Sequence, residues 1–209
     1  MSTPLVELKQ VSKRFGDRKV GAGDRVLQRF GLAHPPAIVR AVDGVDLAIQ
    51  PGEVVGLVGE SGCGKSTLGR IAAGLMPPSA GEVRVDGKAI DMLTADEARA
   101  ARLKIQMIFQ DPYASLNPRL RVEEIVGEAA RVHGLTDRAN FADYVAAQMQ
   151  RAGLDPALRD RYPHQFSGGQ RQRIGIARAL AVQPSMLVCD EAVAALDVSI
   201  QAQILNLFM

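Results

Sequence analysis

The chain has 209 residues, of which 47% are apolar and 23% charged, a composition typical of a soluble globular protein with one large domain or a domain with a lobe. Its net charge of +2 is too small to favour nucleic acid or an anionic membrane surface as the main partner. No apolar run approaches the roughly 18 residues of a membrane-spanning helix, and the first residues lack the pattern of a secretory signal. The two cysteines show neither metal-site spacing nor a disulfide framework, which favours a reducing cytoplasm.

The first part of the chain predicts strands separated by a long loop. Residues 5–8 alternate weakly between apolar and polar side chains, and residues 45–49 form a second strand pattern before a Pro-Gly turn. Between them, residues 16–40 mix Gly, Arg, Asp and Pro, which we interpret as a loop insertion. The apolar run Val-Val-Gly-Leu-Val at 54–58 is typical of a buried parallel strand.

A glycine-rich loop follows and matches the phosphate-binding pattern G-x-x-x-x-G-K-[ST]. Glycines let backbone N–H groups approach phosphate oxygens, and the start of the helix predicted over 67–73 favours an anion. Lys65 can reach the β- and γ-phosphates, and the Ser66 hydroxyl can ligate Mg²⁺. An ordinary Gly-rich turn is the alternative, but the order strand, loop, helix favours a nucleotide site. Its candidate residues are Gly59, Glu60, Ser61, Gly62, Cys63, Gly64, Lys65, Ser66 and Thr67.

The middle of the chain predicts a helical lobe placed inside an α/β core. A short strand at 83–85 precedes a helix over 94–103 and a buried strand over 105–109. Apolar residues then recur at helical spacing through about 116–160, with Asn117-Pro118 as a possible helix start. We interpret this stretch as a helical subdomain within a single domain, 1–209. A last apolar helix over 199–208 runs to the final residue without a stop signal, so the domain is expected to be incomplete at its C-terminus.

Two further motifs carry chemistry. Ser167 can cap a helix predicted over 167–181, and the two glycines after it expose N–H groups to which a second phosphate could bind. The apolar strand 186–189 ends in Asp190 and Glu191. The first carboxylate can hold Mg²⁺ through water, and the second can orient or deprotonate an attacking water. Each motif alone has a structural alternative, namely a plain N-cap and a solvated strand end.

Together these motifs resemble the nucleotide-binding subunit of ATP-binding-cassette (ABC) transporters over essentially the whole chain. The resemblance implies an α/β P-loop NTPase core with an antiparallel β edge and an inserted helical subdomain, using ATP and Mg²⁺. Glu191 would be the catalytic carboxylate, with Lys65 and Gln110 contributing to catalysis. Ser66, Gln110 and Asp190 would lie at the metal ion.

The resemblance also implies contacts to nucleotide outside the glycine loop. Phe15 falls where the family places an aromatic ring under adenine, although a core aromatic is an equal alternative. Asp197 matches the D-loop aspartate. The signature motif would contact the γ-phosphate held by the opposite subunit through Ser167, Gly168, Gly169 and Gln170.

Finer similarities indicate a branch of the family. Residues 110–119 and 162–170 are similar to the matching segments of ATPases serving oligopeptide and dipeptide importers, a branch shared with nickel and glutathione importers. Three residues depart from its pattern: Ala192 replaces a proline, Ala194 a serine and Gln165 a glutamate. The family's switch histidine is expected after Asp197, and the sequence reaches its last residue without one. The chain alone is therefore expected to be a weak or inactive ATPase.

The resemblance implies integral-membrane permease subunits, a second ABC ATPase subunit in a head-to-tail dimer and, indirectly, a periplasmic or extracellular substrate-binding protein, with no nucleic acid. The chain is expected to be cytoplasmic and peripheral on the inner face of the cell membrane. Tyr113 and Leu116 are expected to be exposed and to line a groove for a permease helix. Two alternatives are a soluble ABC-type ATPase that acts on nucleic acid or ribosomes, and a non-hydrolysing regulatory or binding module.

Overall fold

Four strands near the start of the chain form an antiparallel sheet in the computed structural model, which describes residues 3–16, 38–111 and 115–190. The strands are β1 (Val6–Phe15), β2 (Val39–Ile49), β3 (Ala80–Val85) and β4 (Lys88–Ala89), in the order β2-β1-β3-β4. They belong to the first of two compact units, Met1–Thr94 and Ala95–Met209.

Strands β1 and β2 are both longer than the sequence predicts. The register runs from Val6 opposite Ile49 to Phe15 opposite Val39, and β1 also pairs with β3 on its other side. Backbone pairing with β2 up to Phe15, and with β3 as far as Ser12, holds the polar second half of β1 in the ladder, although its side chains carry little apolar signal. The predicted loop at 16–40 therefore loses its last two residues to β2, and residues 17–37 lie outside the described part of the chain.

The prediction of a buried strand at 54–58 is wrong. No strand is assigned there, and the side chains of Val54 and Val58 are 85% and 98% exposed. A parallel strand is stable when it is hydrogen-bonded in a sheet and covered on both faces. Within the described part of the first unit the strands pair only with one another, in an antiparallel sheet that this run does not join.

A short helix, α1 (Lys65–Ala72), follows the glycine loop and packs on β1 and β2. Its buried face includes Leu68, Ile71 and Ala72, spaced three to four residues apart as an amphipathic helix requires. This packing fixes the helix that begins at the end of the loop.

The second unit contains the strands predicted near 105–109 and at 186–189, and the structure pairs them in parallel. Helix α2 (Ala95–Lys104) leads into β5 (Ile105–Ile108), which pairs in parallel with β6 (Met186–Cys189). The register places Ile105 opposite Met186 and Ile108 opposite Cys189. Both strands therefore end at the same edge, immediately before residues predicted to be functional.

Three helices build the core of the second unit: α3 (Val122–Val132), α4 (Phe141–Arg151) and α5 (Gly168–Leu180). They share a cluster of buried apolar side chains that includes Val126, Val145 and Ile174. A Cβ at Gly127 would lie 2.4 Å from the Phe141 ring, so this glycine lets α3 and α4 approach closely. Short 3-10 turns at Pro156–Leu158 and Pro163–Gln165 connect α4 to α5.

Two predictions for this unit need correction. The helix expected from Asn117-Pro118 starts at Val122, because the Asn117 side chain accepts a hydrogen bond from the Arg119 N–H and forms a turn instead. Leu116, expected to be exposed, is 5% exposed and belongs to the apolar cluster. Tyr113 and the predicted helix at 199–208 lie outside the described residues. The proposed subdomain limits at 116–160 stay a prediction.

Among the described residues, no helix has the length and apolar character needed to cross a membrane.

Candidate functional site

The glycine loop meets α1 at Gly64, which is the N-cap of the helix and has a φ of 100°. A Cβ at this position would lie 2.1 Å from the carbonyl oxygen of Ala41 in β2. Only glycine fits here, because it tolerates positive φ and has no side chain to collide with β2. The N-cap offers no side-chain acceptor to the first turn of the helix. An anion is the natural partner for such a helix start.

The Lys65 side chain lies against the loop that precedes it. Its Nζ donates hydrogen bonds to the carbonyl oxygens of Gly59, at 2.9 Å, and Glu60, at 2.8 Å. The Cys63 sulfur is 3.8 Å away. The ammonium group is therefore held at the loop, and its third donor makes a weak hydrogen bond to the Cys63 sulfur that a phosphate oxygen could replace.

Ser66 and Thr67 follow in the first turn of α1, and both are half-buried. The described residues contain no group of three or more His, Cys, Asp or Glu that could hold a metal ion. The Ser66 hydroxyl is an oxygen donor that fits Mg²⁺, which takes its other ligands from phosphate oxygens and water in sites of this kind. ATP fits the loop on the same evidence, namely the Gly64 cradle and the Lys65 ammonium.

Phe15 ends β1 in the same unit, and its side chain is 40% exposed. The Lys13 ammonium lies 5.6 Å from the ring centroid. An exposed ring does not fit the alternative of a core aromatic. Its contact with adenine stays a prediction.

The signature motif forms the capped start of α5. The Ser167 hydroxyl accepts a hydrogen bond from the Gln170 N–H at 3.3 Å, and the Ser167 N–H donates to Gln170 Oε1 at 3.0 Å. This reciprocal pair is a capping box, so the N-cap predicted at Ser167 is confirmed. Gly168 is exposed and Gly169 half-buried, which leaves this helix start accessible to another molecule.

The segment before the signature motif is fixed by a buried arginine. Arg171 is 8% exposed, and its guanidinium donates to the carbonyl oxygens of Pro163, at 2.7 Å, and His164, at 3.3 Å. These bonds hold the preceding turn against the second turn of the helix.

Asp190 and Gln110 follow the paired strands β6 and β5 at one edge of the parallel sheet. The Asp190 N–H donates to the carbonyl oxygen of Ile108 at 3.0 Å, which extends the ladder by one bond. The structure thus brings together the chain segments that carry these two residues, as predicted for carboxyl ends of parallel strands. Glu191 and Asp197 lie outside the described residues.

Cys189, next to Asp190, is not a candidate ligand or nucleophile. Its side chain reaches the surface, yet enough protein surrounds the thiol that burial raises its pKa to about 11. At neutral pH the thiol stays protonated.

The sequence assigned no role to two α5 side chains that contact the neighbourhood of Gln110. Gln172 donates to the carbonyl oxygen of Phe109, and Arg178 donates to that of Ser115. Each contact joins residues 63 positions apart in the sequence, so no local motif could reveal it.

The predicted site residues divide between the two units. The glycine loop and Phe15 lie in the first unit, whereas Gln110, Asp190 and the signature motif lie in the second. Their assembly into one site is a prediction.

Comparisons with known proteins give the family. The sequence pattern of the family described as ABC transporter matches residues 42–194. The chain is 55% identical to the oligopeptide transport ATP-binding protein OppF of Salmonella typhimurium over 97% of the chain and 61% of that protein. It is 54% identical to the putative oligopeptide transport ATP-binding protein YkfD of Bacillus subtilis over 81% of the chain and 52% of that protein. The chain thus spans between half and two thirds of the length of these curated relatives.

A solved structure described as a dimeric, post-hydrolysis state of an ATP-binding cassette bound to ADP and Pi has a TM-score of 0.79. The two chains are 32% identical, and the match covers 97% of this chain and 81% of the other. Fold, motifs and similarity agree, and the chain therefore belongs to the family of ABC transporter ATP-binding domains.

Proposed function

We propose that this chain binds Mg-ATP at residues 59–67 and hydrolyses it as part of the ATP-binding subunit of an ABC importer. The observation that carries the proposal is the geometry of the glycine loop. Gly64 opens a helix without a side-chain cap, and the Lys65 ammonium is held at 2.8–2.9 Å by two loop carbonyls. Backbone donors and a fixed positive charge at a helix start are what a triphosphate requires.

Within this proposal each residue has a defined task. Lys65 binds the β- and γ-phosphates, and the Ser66 hydroxyl, Gln110 and Asp190 hold the metal ion. Mg²⁺, when bound, neutralises charge on the phosphate oxygens. Glu191 accepts a proton from the attacking water and orients it in line with the γ-phosphate. Phe15 would stack on adenine.

The second half of the site comes from a partner subunit. The accessible helix start at Ser167, Gly168, Gly169 and Gln170 faces a γ-phosphate bound to the opposite chain, with Asp197 at the same contact. A solved relative is described as a dimeric ATP-binding cassette, which supports a head-to-tail pair. Integral-membrane permeases and an external substrate-binding protein complete the importer, which places the chain on the cytoplasmic face of the membrane.

Peptides are the proposed cargo, because curated relatives at 55% and 54% identity are named for oligopeptide transport. Nickel and glutathione are the competing cargoes. The test compares cells with and without the intact gene for uptake of labelled peptides, of nickel ions and of glutathione. Peptide uptake that is the same in both kinds of cell would overturn the assignment.

Nucleotide binding is tested with Lys65→Ala. Loss of a charge-assisted hydrogen bond to phosphate costs about 1.5–3 kcal/mol, or roughly a tenfold to hundredfold rise in Kd for Mg-ATP by calorimetry. Lys9→Ala is the matched control, because within residues 3–16, 38–111 and 115–190 the Lys9 side chain is seen in a surface ion pair with Glu7 at 3.3 Å. Equal affinity of Lys65→Ala and the parent would show that the loop is not the phosphate site.

A further inference from the structure

Helix α5 holds both ends of the segment that carries Gln110. The Gln172 side-chain amide donates from Nε2 to the carbonyl oxygen of Phe109 at 3.3 Å, just before Gln110. The Arg178 guanidinium donates from Nη1 to the carbonyl oxygen of Ser115 at 2.6 Å, beyond the other end. The two donors are six residues apart on the helix, which corresponds to a rise of about 9 Å.

Burial of the Gln172 side chain at this position is unfavourable for the free energy of folding. The residue is 2% exposed, and its Oε1 is a buried side-chain atom with no hydrogen-bond partner among the described residues. Buried acceptors are almost always paired, and an unpaired one destabilises the fold. An apolar side chain of similar length would fill the same space without this disadvantage. The bond to the Phe109 carbonyl is therefore the property that the amide supplies and that packing alone does not.

Burial of the Arg178 side chain is unfavourable as well. Its guanidinium is partly buried, and burial lowers its pKa. In the described part of the chain, Ser115 is the partner seen for its donors. Both side chains thus lose hydration, and each binds a backbone carbonyl near Gln110. Gln172 binds the carbonyl of Phe109 before it, and Arg178 binds that of Ser115 after it.

The same helix starts at the signature motif. Gln172 lies two residues after the Ser167–Gln170 motif in the same helix, and the bonds of Arg171 to Pro163 and His164 hold the turn that precedes the motif. A displacement of the helix start would move Gln172 and Arg178 with it, because an α-helix of 13 residues is stiff over this distance.

We propose that Gln172 and Arg178 are positioning residues that couple the signature helix to Gln110, so that the two move as one body when the opposite subunit's nucleotide engages the helix start. This inference rests on the proposed ATPase function. In the proposed site, Gln172 and Arg178 have no assigned contact with nucleotide or metal. They act through the backbone on each side of Gln110.

The test uses the full-length subunit with its partner and compares Gln172→Met and Arg178→Met with the parent. Each variant removes one donor and keeps an unbranched side chain. We expect kcat for ATP to fall about tenfold, since small misplacements of a site group have effects of this size or larger. KM for ATP should change less than twofold. The Mg²⁺ concentration for half-maximal turnover should rise, because Gln110 is proposed to contact the metal ion.

The melting temperatures of the variants distinguish a positioning role of Gln172 and Arg178 from a merely structural role. Gln172→Met also removes the unpaired acceptor, so its melting temperature should equal or exceed that of the parent. Arg178→Lys should recover most of kcat, because its ammonium still offers an N–H donor. Arg173→Met is the matched control, since Arg173 lies on the same helix and donates to the Gly153 carbonyl instead. Its kcat and Mg²⁺ dependence should match the parent.

The possible outcomes distinguish a failure of the proposed ATPase function from a failure of the coupling role. A parent without ATPase activity would overturn the proposed function itself. An active parent with Gln172→Met and Arg178→Met unchanged in kcat and Mg²⁺ dependence would overturn the coupling role alone. The coupling role would also be refuted if both variants lost activity together with a lowered melting temperature and Arg178→Lys restored none of it. In that case Gln172 and Arg178 would serve only the packing of the fold.

Discussion

Replacement of Gly64 by alanine is the sharpest test of the glycine loop. The new Cβ would lie 2.1 Å from the Ala41 carbonyl oxygen, whereas real Cβ contacts shorter than 3.0 Å are essentially never seen. Either the loop or β2 must therefore move by most of an ångström. The φ of 100° adds strain of about 1–2 kcal/mol for any residue with a side chain. Relief of the overlap adds about 1–3 kcal/mol, as in other overpacked sites.

The strain falls on the loop conformation that is proposed to bind phosphate. If that conformation is disfavoured by about 2–5 kcal/mol, the apparent Kd for Mg-ATP rises tenfold or more, because only the competent fraction binds. Calorimetric titration with Mg-ATP measures this change, and a thermal melt reports on the fold. A shift of about 2–4 °C per kcal/mol is expected for a chain of this size.

Gly52→Ala provides a control that shares the backbone strain but not the overlap. Gly52 also has a positive φ, of 76°, yet a Cβ there would meet nothing within 4 Å. We expect a modest loss of stability and an unchanged Kd. A folded Gly64→Ala protein that binds Mg-ATP as tightly as the parent would refute the argument, and so would equal losses of affinity in the two variants.

Three further outcomes are expected. Glu191→Gln should retain Mg-ATP binding and lose at least about a hundredfold in turnover, as expected when a general base is removed; parent-like phosphate release would exclude Glu191 from that role. Leu116→Ala should lower the free energy of unfolding by about 2–5 kcal/mol in denaturant titrations, because Leu116 is 5% exposed within the core cluster, and a change below 1 kcal/mol would contradict this burial. Since burial raises the pKa of Cys189 to about 11, iodoacetamide at pH 8 should modify the exposed Cys63 and spare Cys189 until the pH approaches that value; equal labelling of both thiols by mass spectrometry would be evidence against it.

Local features were predictable because neighbouring residues alone create them. Lys65 and Gly64 occupy fixed places in a pattern whose loop and helix are contiguous in sequence. Ser167 caps α5 through a bond to a residue three positions later. Strand β6 has the predicted limits, because a short apolar run between polar flanks favours a strand.

Other features depended on partners that are distant in sequence. The polar half of β1 is a strand because β2 pairs with it up to Phe15 and β3 as far as Ser12. The run at 54–58 is as apolar as β6 but is not a strand. Apolar side chains alone do not supply a neighbouring strand for backbone hydrogen bonds.

The sequence by itself thus predicted the chemistry proposed for this protein: a candidate phosphate loop with Lys65, a capped helix at Ser167 and acidic residues after β6. Only the tertiary structure decided how these groups are held. It buried Leu116, and it attached Gln172 and Arg178 to carbonyls 63 positions away. The physical reason is that backbone carbonyls carry no sequence signature, so a side chain bonded to a distant one cannot be recognised before the chain is folded.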